Sequence, residues 1–118
     1  MVVDDVEDVR TSAADILRAE GYAVIEANDG QAAMELLDTH KVSVLVLDVR
    51  MPRRDGVSVI DALEEPPAVV LISAYCMDPE TMERIRTKVS TFLKKPFAPL
   101  RLVEAVDEAS HSSNDGGD

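Results

Sequence analysis

Five side chains that could take part in chemistry stand where apolar runs of the sequence end. They are three carboxylates, one hydroxyl and one ammonium, from Asp4, Asp5, Asp48, Ser73 and Lys95. Carboxylates that share one small site repel one another unless a cation lies between them. Magnesium is a hard cation that accepts carboxylates, a backbone carbonyl and waters as ligands. The residue types therefore predict a Mg²⁺ site, provided that the fold brings these run ends together.

The hydroxyl and the ammonium extend that chemistry to a transferring phosphoryl group. Such a transfer depends on positioning and on neutralising charge, which Mg²⁺, Lys95 and Ser73 could supply together. One aspartate would then be the nucleophile and form an acyl phosphate, but the residues alone do not choose among the three. Singly, each residue also has an ordinary explanation, such as a helix cap for Asp4 and Asp5. Only their joint placement favours a site.

The elements that must position these residues alternate along the chain. Apolar runs predict strands at residues 2–3, 22–26, 44–48, 68–73 and 91–94. Apolar residues at helical spacing predict a helix after each strand, with Gly21 ending the first helix and Asp29 and Asp78 capping the second and fourth. This alternation predicts a doubly wound α/β fold, with five parallel strands and five helices. The carboxyl ends of the strands then meet at one edge, where open α/β sheets bind ligands.

The length and composition of the chain predict a single domain. The chain has 118 residues, 46% of them hydrophobic, which is enough for a real core. No apolar stretch is long enough to cross a bilayer, and the start lacks the basic region of a signal peptide, so we expect a cytoplasmic location. The single cysteine, Cys76, fits a reducing compartment. Residues 110–118 are polar, which predicts a disordered tail after a domain at 1–109.

The distribution of charge excludes one class of partner and favours another. The net charge is −11, from 12 basic and 23 acidic residues, which argues against direct binding of nucleic acid. Half of the basic residues nevertheless fall in a basic segment that contains no acid, with Arg84, Arg86, Lys88, Lys94, Lys95 and Arg101. This basic segment is either a solvated face or a docking surface for an acidic partner.

The ordered set of motifs at the strand ends resembles the receiver domains of two-component response regulators, from Val2 to about Ala109. The motifs are Val2-Val3-Asp4-Asp5, Leu47-Asp48-Val49-Arg50-Met51-Pro52 with Asp55-Gly56, Ile72-Ser73-Ala74, and Lys95-Pro96-Phe97. Each motif is weak alone, but the ordered set is highly specific. The resemblance implies a flavodoxin-like fold of the CheY-like superfamily, with the strand order 2-1-3-4-5.

The resemblance also implies a role for each acidic residue of the site. Asp48 would be the phosphoacceptor. Asp5 and Asp48 would ligate Mg²⁺ directly, together with the backbone carbonyl of Arg50. Asp4 would act on the metal through water.

The remaining site residues would respond to the phosphoryl group. Ser73 would be the switch hydroxyl that moves onto it, and Lys95 would form an ion pair with it. Phe92 matches the aromatic position whose rotamer reports the switch. The Lys95-Pro96 peptide would be cis.

The function that the resemblance implies is a receiver in a phosphorelay. It would take a phosphoryl group from a histidine kinase or a histidine phosphotransfer protein and then regulate a downstream protein through the face of the fourth helix, fifth strand and fifth helix. It would act on neither nucleic acid nor membrane, and its only reactions would be self-phosphorylation from small donors and self-dephosphorylation. Two alternatives stay open: a pseudo-receiver that binds without phosphate, and an aspartate-nucleophile phosphatase. Such phosphatases usually carry an acid where this chain has Arg50.

Several residues depart from the family pattern. Arg50 occupies a position that tunes dephosphorylation in the family, so we expect an altered phosphoryl lifetime, in a direction left open. Lys88 replaces a small residue before the fifth strand. Ser90 and Thr91 replace an acidic pair that helps to hold one common receiver dimer, so we expect a monomer or a weak phosphorylation-dependent dimer. The first strand also lacks the residues that usually precede Val2.

Overall fold

The computed structural model describes residues 1–50, 55–74 and 78–115. Met51 and Pro52 of the motif after Asp48, the single cysteine Cys76 and the last three residues of the predicted tail lie outside this part of the chain. The elements are β1 Val2–Val3, α1 Glu7–Ala19, β2 Glu26–Ala27, α2 Gly30–Thr39, β3 Val44–Asp48, α3 Gly56–Ala62, β4 Ala68–Ser73, α4 Pro79–Ile85, β5 Thr91–Lys94 and α5 Pro99–Asp115. A short 3₁₀ turn, Arg86–Lys88, follows α4.

The five strands form one parallel sheet in the order β2-β1-β3-β4-β5. The predicted fold class and strand order are therefore confirmed. β3 lies at the centre, and all five of its residues are buried. A strand covered on both faces needs apolar side chains on both, which is why β3 and β4 read as continuous apolar runs.

Side chains alternate across the sheet and divide the core into two layers. Val44 and Val46 of β3 pack in one layer with Leu17 of α1 and Leu102 of α5. Their neighbours Leu45 and Leu47 pack in the other layer, which α2, α3 and α4 complete with Ala33, Val59, Ile60 and Ile85. Burying both faces of the sheet holds its carboxyl edge in place against five helices. In the part of the chain that the structure describes, no helix is both long and apolar enough to cross a membrane.

Polar residues at the helix ends fix where the helices begin and stop. The carboxylate of Asp29 accepts from the amide of Ala32 at 2.8 Å, and that of Asp78 accepts from the amide of Thr81 at 3.0 Å. Both side chains cap their helices, as the sequence predicts. Beyond α1, Gly21 has a φ of 96°, a left-handed conformation that favours glycine and ends the helix.

Two elements differ from their predicted bounds. β2 comprises only Glu26–Ala27, where the apolar run predicts a strand at 22–26. Its neighbour β1 has two residues, which pair with these two, so the ladder cannot be longer on that side. α5 runs to Asp115, past residue 109, where the sequence predicts the start of a disordered tail. No proline or glycine interrupts α5 before Gly116. Small polar residues each destabilise a helix by only about 0.5–0.7 kcal/mol relative to alanine, so the helix can continue through them.

Gly56 packs directly against the backbone at the end of β3. Its amide donates to the carbonyl of Val49 at 2.8 Å. A Cβ at this position would lie 2.5 Å from the carbonyl oxygen of Asp48 and 3.0 Å from the Cα of Val49. Both neighbours are backbone atoms, so the contact cannot be relieved by a change of rotamer.

Replacing Gly56 with alanine is therefore expected to destabilise the fold by about 1–3 kcal/mol, the usual cost of overpacking. Helix propensity alone would favour alanine by about 1 kcal/mol, so the two effects have opposite signs. Urea unfolding followed by circular dichroism measures the difference, with Ser58→Ala, on the exposed side of the same helix, as the control. A Gly56→Ala protein as stable as the wild type would contradict the close approach.

Candidate functional site

Asp48 is a nearly buried carboxylate at the carboxyl end of the central strand. Asp48 pairs with Ile72 of β4 in the parallel sheet, and only 6% of the surface of Asp48 is exposed. The ladder continues for one more bond, from the Val49 amide to the Ile72 carbonyl at 2.9 Å. The chain then turns, and the amide of Arg50 donates back to Oδ1 of Asp48 at 3.1 Å. This local turn holds the carboxylate at the edge of the sheet.

Asp4 and Asp5 reach the same edge from β1. Val3 pairs with Leu47, so the residues that follow these two lie side by side. Asp4 is 3% exposed, whereas Asp5 is exposed. Oδ1 of Asp4 accepts from the amide of Val6 at 3.0 Å, at the start of α1. This bond forms a turn just before the helix and is not a cap, since the N-cap residue of α1 is Val6 and no side chain caps it.

Lys95 joins two of the three carboxylates. Its ammonium lies 2.7 Å from Oδ2 of Asp48 and 3.1 Å from Oδ2 of Asp4. Its own amide donates to the carbonyl of Ser73 at 2.8 Å, and its peptide bond to Pro96 is cis, as the resemblance implies. Partial burial opposes the charge on Lys95, but its hydrogen bonds to Asp48 and Asp4 prevail and raise its pKa. The ammonium therefore stays charged at neutral pH.

The carboxyl group of Asp48 is harder to ionise than an ordinary aspartate. Burial raises its pKa, and repulsion from Asp4 adds to that effect. The hydrogen bonds from Lys95 and from the Arg50 amide act in the opposite direction without cancelling it. The ammonium of Lys95 therefore does not fully offset the effect of burial and of the nearby Asp4 on the pKa of Asp48.

The carboxylates are close enough to share a divalent cation. One oxygen from each of Asp4, Asp5 and Asp48 lies within 4.8 Å of the others. A cluster of oxygen ligands with excess negative charge suits Mg²⁺, which prefers carboxylates and water to nitrogen or sulfur. The residues present therefore fit the predicted metal. Arg50 lies directly beside the cluster, and its carbonyl stays a predicted ligand.

The two predicted switch residues lie on β4, which is next to β3, and on β5, which is next to β4. Ser73 ends β4, beside the residue that pairs with Asp48, and is half-buried. Phe92, in β5, pairs with Leu71 and is 39% exposed. The structure thus places Ser73 at the carboxyl edge and Phe92 further from it, with its ring accessible to solvent. Their roles as hydroxyl and aromatic switch stay predictions.

Arg10 is a residue at the site that the sequence analysis missed. Its guanidinium donates to the carbonyl oxygen of Asp4 at 3.1 Å and to the carboxylate of Glu26 at 3.2 Å. The available signal was a basic residue among the acids of the first turn of α1, which follows Asp4 and Asp5. That signal is weak, because such a residue commonly pairs within its own helix.

A cavity of about 510 Å³ lies elsewhere, between the start of β1 and the loops before β2 and β3. Its walls include Met1, Tyr22, His40 and Val106, and none of the three clustered aspartates. This cavity is therefore separate from the carboxylate cluster, of which Asp4 and Asp48 are buried and Asp5 is exposed.

Comparisons with known proteins agree with this geometry. The sequence profile of the response regulator receiver domain matches residues 1–107. The chemotaxis protein CheY of Thermotoga maritima is 33% identical over 117 residues, which cover 93% of this chain and 95% of that protein. A CheY-like receiver domain from Methanospirillum hungatei superposes with a TM-score of 0.86 at 28% identity, covering 98% of this chain and 95% of that one.

Other relatives are longer proteins. The transcriptional regulatory protein PdtaR of Mycobacterium tuberculosis is 36% identical over 116 residues, which cover 92% of this chain but 55% of the relative. CpxR of Escherichia coli is 31% identical, over 54% of its length. The chain thus spans about half the length of several curated relatives that it matches.

Replacing Asp48 with asparagine is expected to stabilise the metal-free protein at neutral pH by a few degrees in Tm. The raised pKa of Asp48 means that its stabilising contribution is complete below pH 3.8 and is lost as the pH rises through its folded-state pKa. Asparagine is neutral throughout and can still accept from Lys95, so the gain should vanish at low pH. Thermal unfolding in EDTA across this range measures it.

The matched control is Glu35→Gln, a neutralised carboxylate on the exposed side of α2 and away from the end of that helix, which should leave Tm nearly unchanged. A lower Tm for Asp48→Asn at neutral pH would show that the ion pair with Lys95 outweighs the burial and repulsion at this site.

Proposed function

Because the chain belongs to the response regulator receiver domain family, we propose that it accepts a phosphoryl group on Asp48 and then changes conformation to regulate a partner protein. The observation that carries the proposal is the Lys95 ammonium, which lies within 3.1 Å of carboxylate oxygens of both Asp4 and Asp48. That arrangement supports the proposal, because a nucleophile, metal ligands and a fixed positive charge would then act at one edge of the sheet.

Asp48 is the best nucleophile among the three aspartates. Hydrogen bonding does not choose between the two buried acids, because both carboxylate oxygens of Asp4 and both of Asp48 accept a hydrogen bond. The choice rests on the resemblance to receiver domains and on the position of Asp48 at the end of the central strand. Asp5 is exposed to water, whereas Asp48 ends the central strand between the other groups. In the proposed step, a carboxylate oxygen of Asp48 attacks the phosphorus of a phosphohistidine. The P–N bond breaks, the imidazole nitrogen leaves with the electron pair, and an acyl phosphate forms.

The residues around Asp48 would hold a metal and steady the added charge. Asp5, Asp48 and the Arg50 carbonyl would ligate Mg²⁺ directly, with Asp4 acting through water. When bound, Mg²⁺ would neutralise charge on the phosphoryl oxygens. Lys95 already touches Asp48 and would pair with the incoming group from the same side.

The conformational response would pass through Ser73 and Phe92. The Ser73 hydroxyl would move onto the phosphoryl group, and because its carbonyl bonds to the Lys95 amide, the ends of β4 and β5 would move together. The half-exposed ring of Phe92 would then change its rotamer. Phosphorylation would shift the equilibrium toward this second conformation. The size of the shift is set by how much more favourably the phosphoryl group interacts with the second conformation than with the first.

The face of α4, β5 and α5 would bind the downstream partner. Much of the basic segment on this face already has partners: Arg84 lies 3.3 Å from Asp61, Arg86 3.7 Å from Glu83, and Arg101 3.9 Å from Glu104. These ion pairs are exposed and weak, at about 0–1 kcal/mol each, but they offset the charge of the segment. The exposed side chains of Phe92 and Leu100 add apolar surface. We therefore propose a mixed apolar and polar contact.

Two alternatives make different predictions for the same site. A pseudo-receiver would bind partners without phosphate and would leave Asp48 unlabelled by acetyl phosphate. An aspartate-nucleophile phosphatase would turn over a phosphate ester continuously, although Arg50 stands where such enzymes usually carry an acid. The intact set of Asp4, Asp5, Asp48, Ser73 and Lys95 favours the receiver over both.

Beryllofluoride with Mg²⁺ tests the switch, because it binds a carboxylate as a phosphoryl group would. We expect it to shift the amide resonances of Ser73 and of residues near Phe92 in a ¹H–¹⁵N spectrum. Ser73→Ala should keep the shifts near Asp48 and lose those near Phe92, since the hydroxyl links the two. Asp48→Asn should lose both sets, and an unchanged wild-type spectrum would rule out the proposal.

Arg50 is proposed to set the lifetime of the acyl phosphate. Its side chain is exposed next to Asp48, where a guanidinium can reach the phosphoryl group or obstruct attacking water. We expect Arg50→Ala to change the rate of phosphate release from the phosphorylated protein, with Arg86→Ala on the α4 side as a control of equal charge. Equal lifetimes for Arg50→Ala and the wild type would contradict this role.

The phosphoryl donor can be identified by phosphotransfer profiling. The chain is incubated with each phosphorylated histidine kinase or phosphotransfer protein of the source organism, and we expect one donor to transfer much faster than the rest. Asp48→Asn is the control that must accept nothing. Transfer to that variant would place the acceptor elsewhere.

A further inference from the structure

Arg10 connects the peptide between the two amino-terminal acids to a carboxylate on a neighbouring strand. Its Nη1 donates to the Asp4 carbonyl oxygen at 3.1 Å, and its Nε donates to Oε1 of Glu26 at 3.2 Å. The arginine side chain is 15% exposed and that of Glu26 is 26% exposed. Partial burial removes competing water, so these bonds hold the guanidinium in one orientation.

We propose that Arg10 is a positioning residue, which fixes the Asp4–Asp5 peptide so that the Asp5 carboxylate faces Asp48 across a divalent cation. The carbonyl of Asp4 belongs to the peptide plane that joins the two acids. Because a peptide is planar, fixing its oxygen also fixes the direction of the Asp5 amide and the place of the Asp5 Cα. The inference rests on the proposed function, since it concerns the same metal ligands.

The amide and the carboxylate of Asp4 are held by other hydrogen bonds. Its carbonyl is therefore the group through which Arg10 can affect the orientation of Asp5. The Asp4 amide donates to the Ala27 carbonyl at 3.2 Å, and its carboxylate oxygens accept from Val6 and Lys95. Asp5 itself is exposed. Because Asp5 is exposed and lies beyond the end of β1, its orientation depends mainly on the peptide that joins it to Asp4.

Orientation, rather than charge, is the main effect of Arg10. Its contact with the site is the uncharged Asp4 carbonyl, and its positive charge is partly offset by Glu26, which also pairs with Arg18. A guanidinium can donate from Nε and Nη1 in two fixed directions at once, and an ammonium lacks that planar fork.

Arg18 provides a matched control within the same network. It lies on the same helix and bonds to Oε2 of Glu26 at 3.2 Å, the same length as the Arg10 contact. Its second contact is the Val24 carbonyl at 3.0 Å, far from the acids of the site. Arg18→Ala therefore removes a guanidinium from Glu26 and leaves the Asp4 carbonyl untouched.

The first measurement is a calorimetric titration of the full chain with MgCl₂. We expect Arg10→Ala to weaken the affinity about tenfold, as is usual when a residue that orients metal ligands is removed. Arg18→Ala should stay within a factor of about two, which is the contrast that a general loss of α1 packing would not produce. Arg10→Lys should remain as weak as Arg10→Ala, and full recovery with lysine would overturn the positional account in favour of charge.

The second measurement needs no metal and separates this inference from the proposed function. In EDTA, the amides of Asp5 and Val6 should shift and exchange faster with solvent in Arg10→Ala and Arg10→Lys, but not in Arg18→Ala. Unchanged amides in both Arg10 variants would overturn the inference even if the wild type binds Mg²⁺. A wild type that binds no Mg²⁺ would instead defeat the proposed function, while the amides would still decide whether Arg10 orders this peptide. Thermal unfolding of each variant confirms that the comparison is between folded proteins.

Discussion

The repulsion among three carboxylates at one edge of a buried sheet is the constraint on which this structure depends. Asp4 and Asp48 are almost fully buried, and their charges face each other with one ammonium, Lys95, between them. Burial and repulsion raise the pKa of Asp48 despite that ammonium. The rest of the fold supports this arrangement, and a divalent cation bound among the three carboxylates, as proposed, would reduce the repulsion.

The fold meets this constraint through backbone contacts more than through side chains. β1 and β3 place Asp4 beside Asp48 by register, the Arg50 amide turns back onto the Asp48 carboxylate, and Gly56 lets α3 approach the Asp48 carbonyl. The two apolar layers, one under α1 and α5 and the other under the remaining helices, keep these strand ends from separating. The proposed site is thus built on the buried centre of the sheet, whereas the Asp5 carboxylate and the Phe92 ring remain accessible.

Much of the site was predictable, because parallel strands joined by helices must end at the same edge. The placement of Asp4, Asp48 and Lys95 follows from that rule together with the apolar runs. Arg10 did not follow, because one of its partners is a backbone carbonyl, which leaves no trace in a sequence. The pairing of Arg84 with Asp61 on another helix was also invisible, so the basic segment looked more strongly charged than its surface is. The bounds of β2 and α5 depended on the length of a neighbouring strand and on the absence of a helix breaker.

The central claim is that Asp48 is a magnesium-dependent phosphoacceptor, and direct labelling tests it. The chain is incubated with acetyl phosphate in MgCl₂ or in EDTA, its intact mass is measured, and the acyl phosphate is reduced with borohydride and mapped to a residue. We predict a single phosphoryl group, present only with Mg²⁺ and located on Asp48. An unlabelled chain in MgCl₂, or a label on Asp4 or Asp5 while Asp48 is intact, would contradict the account.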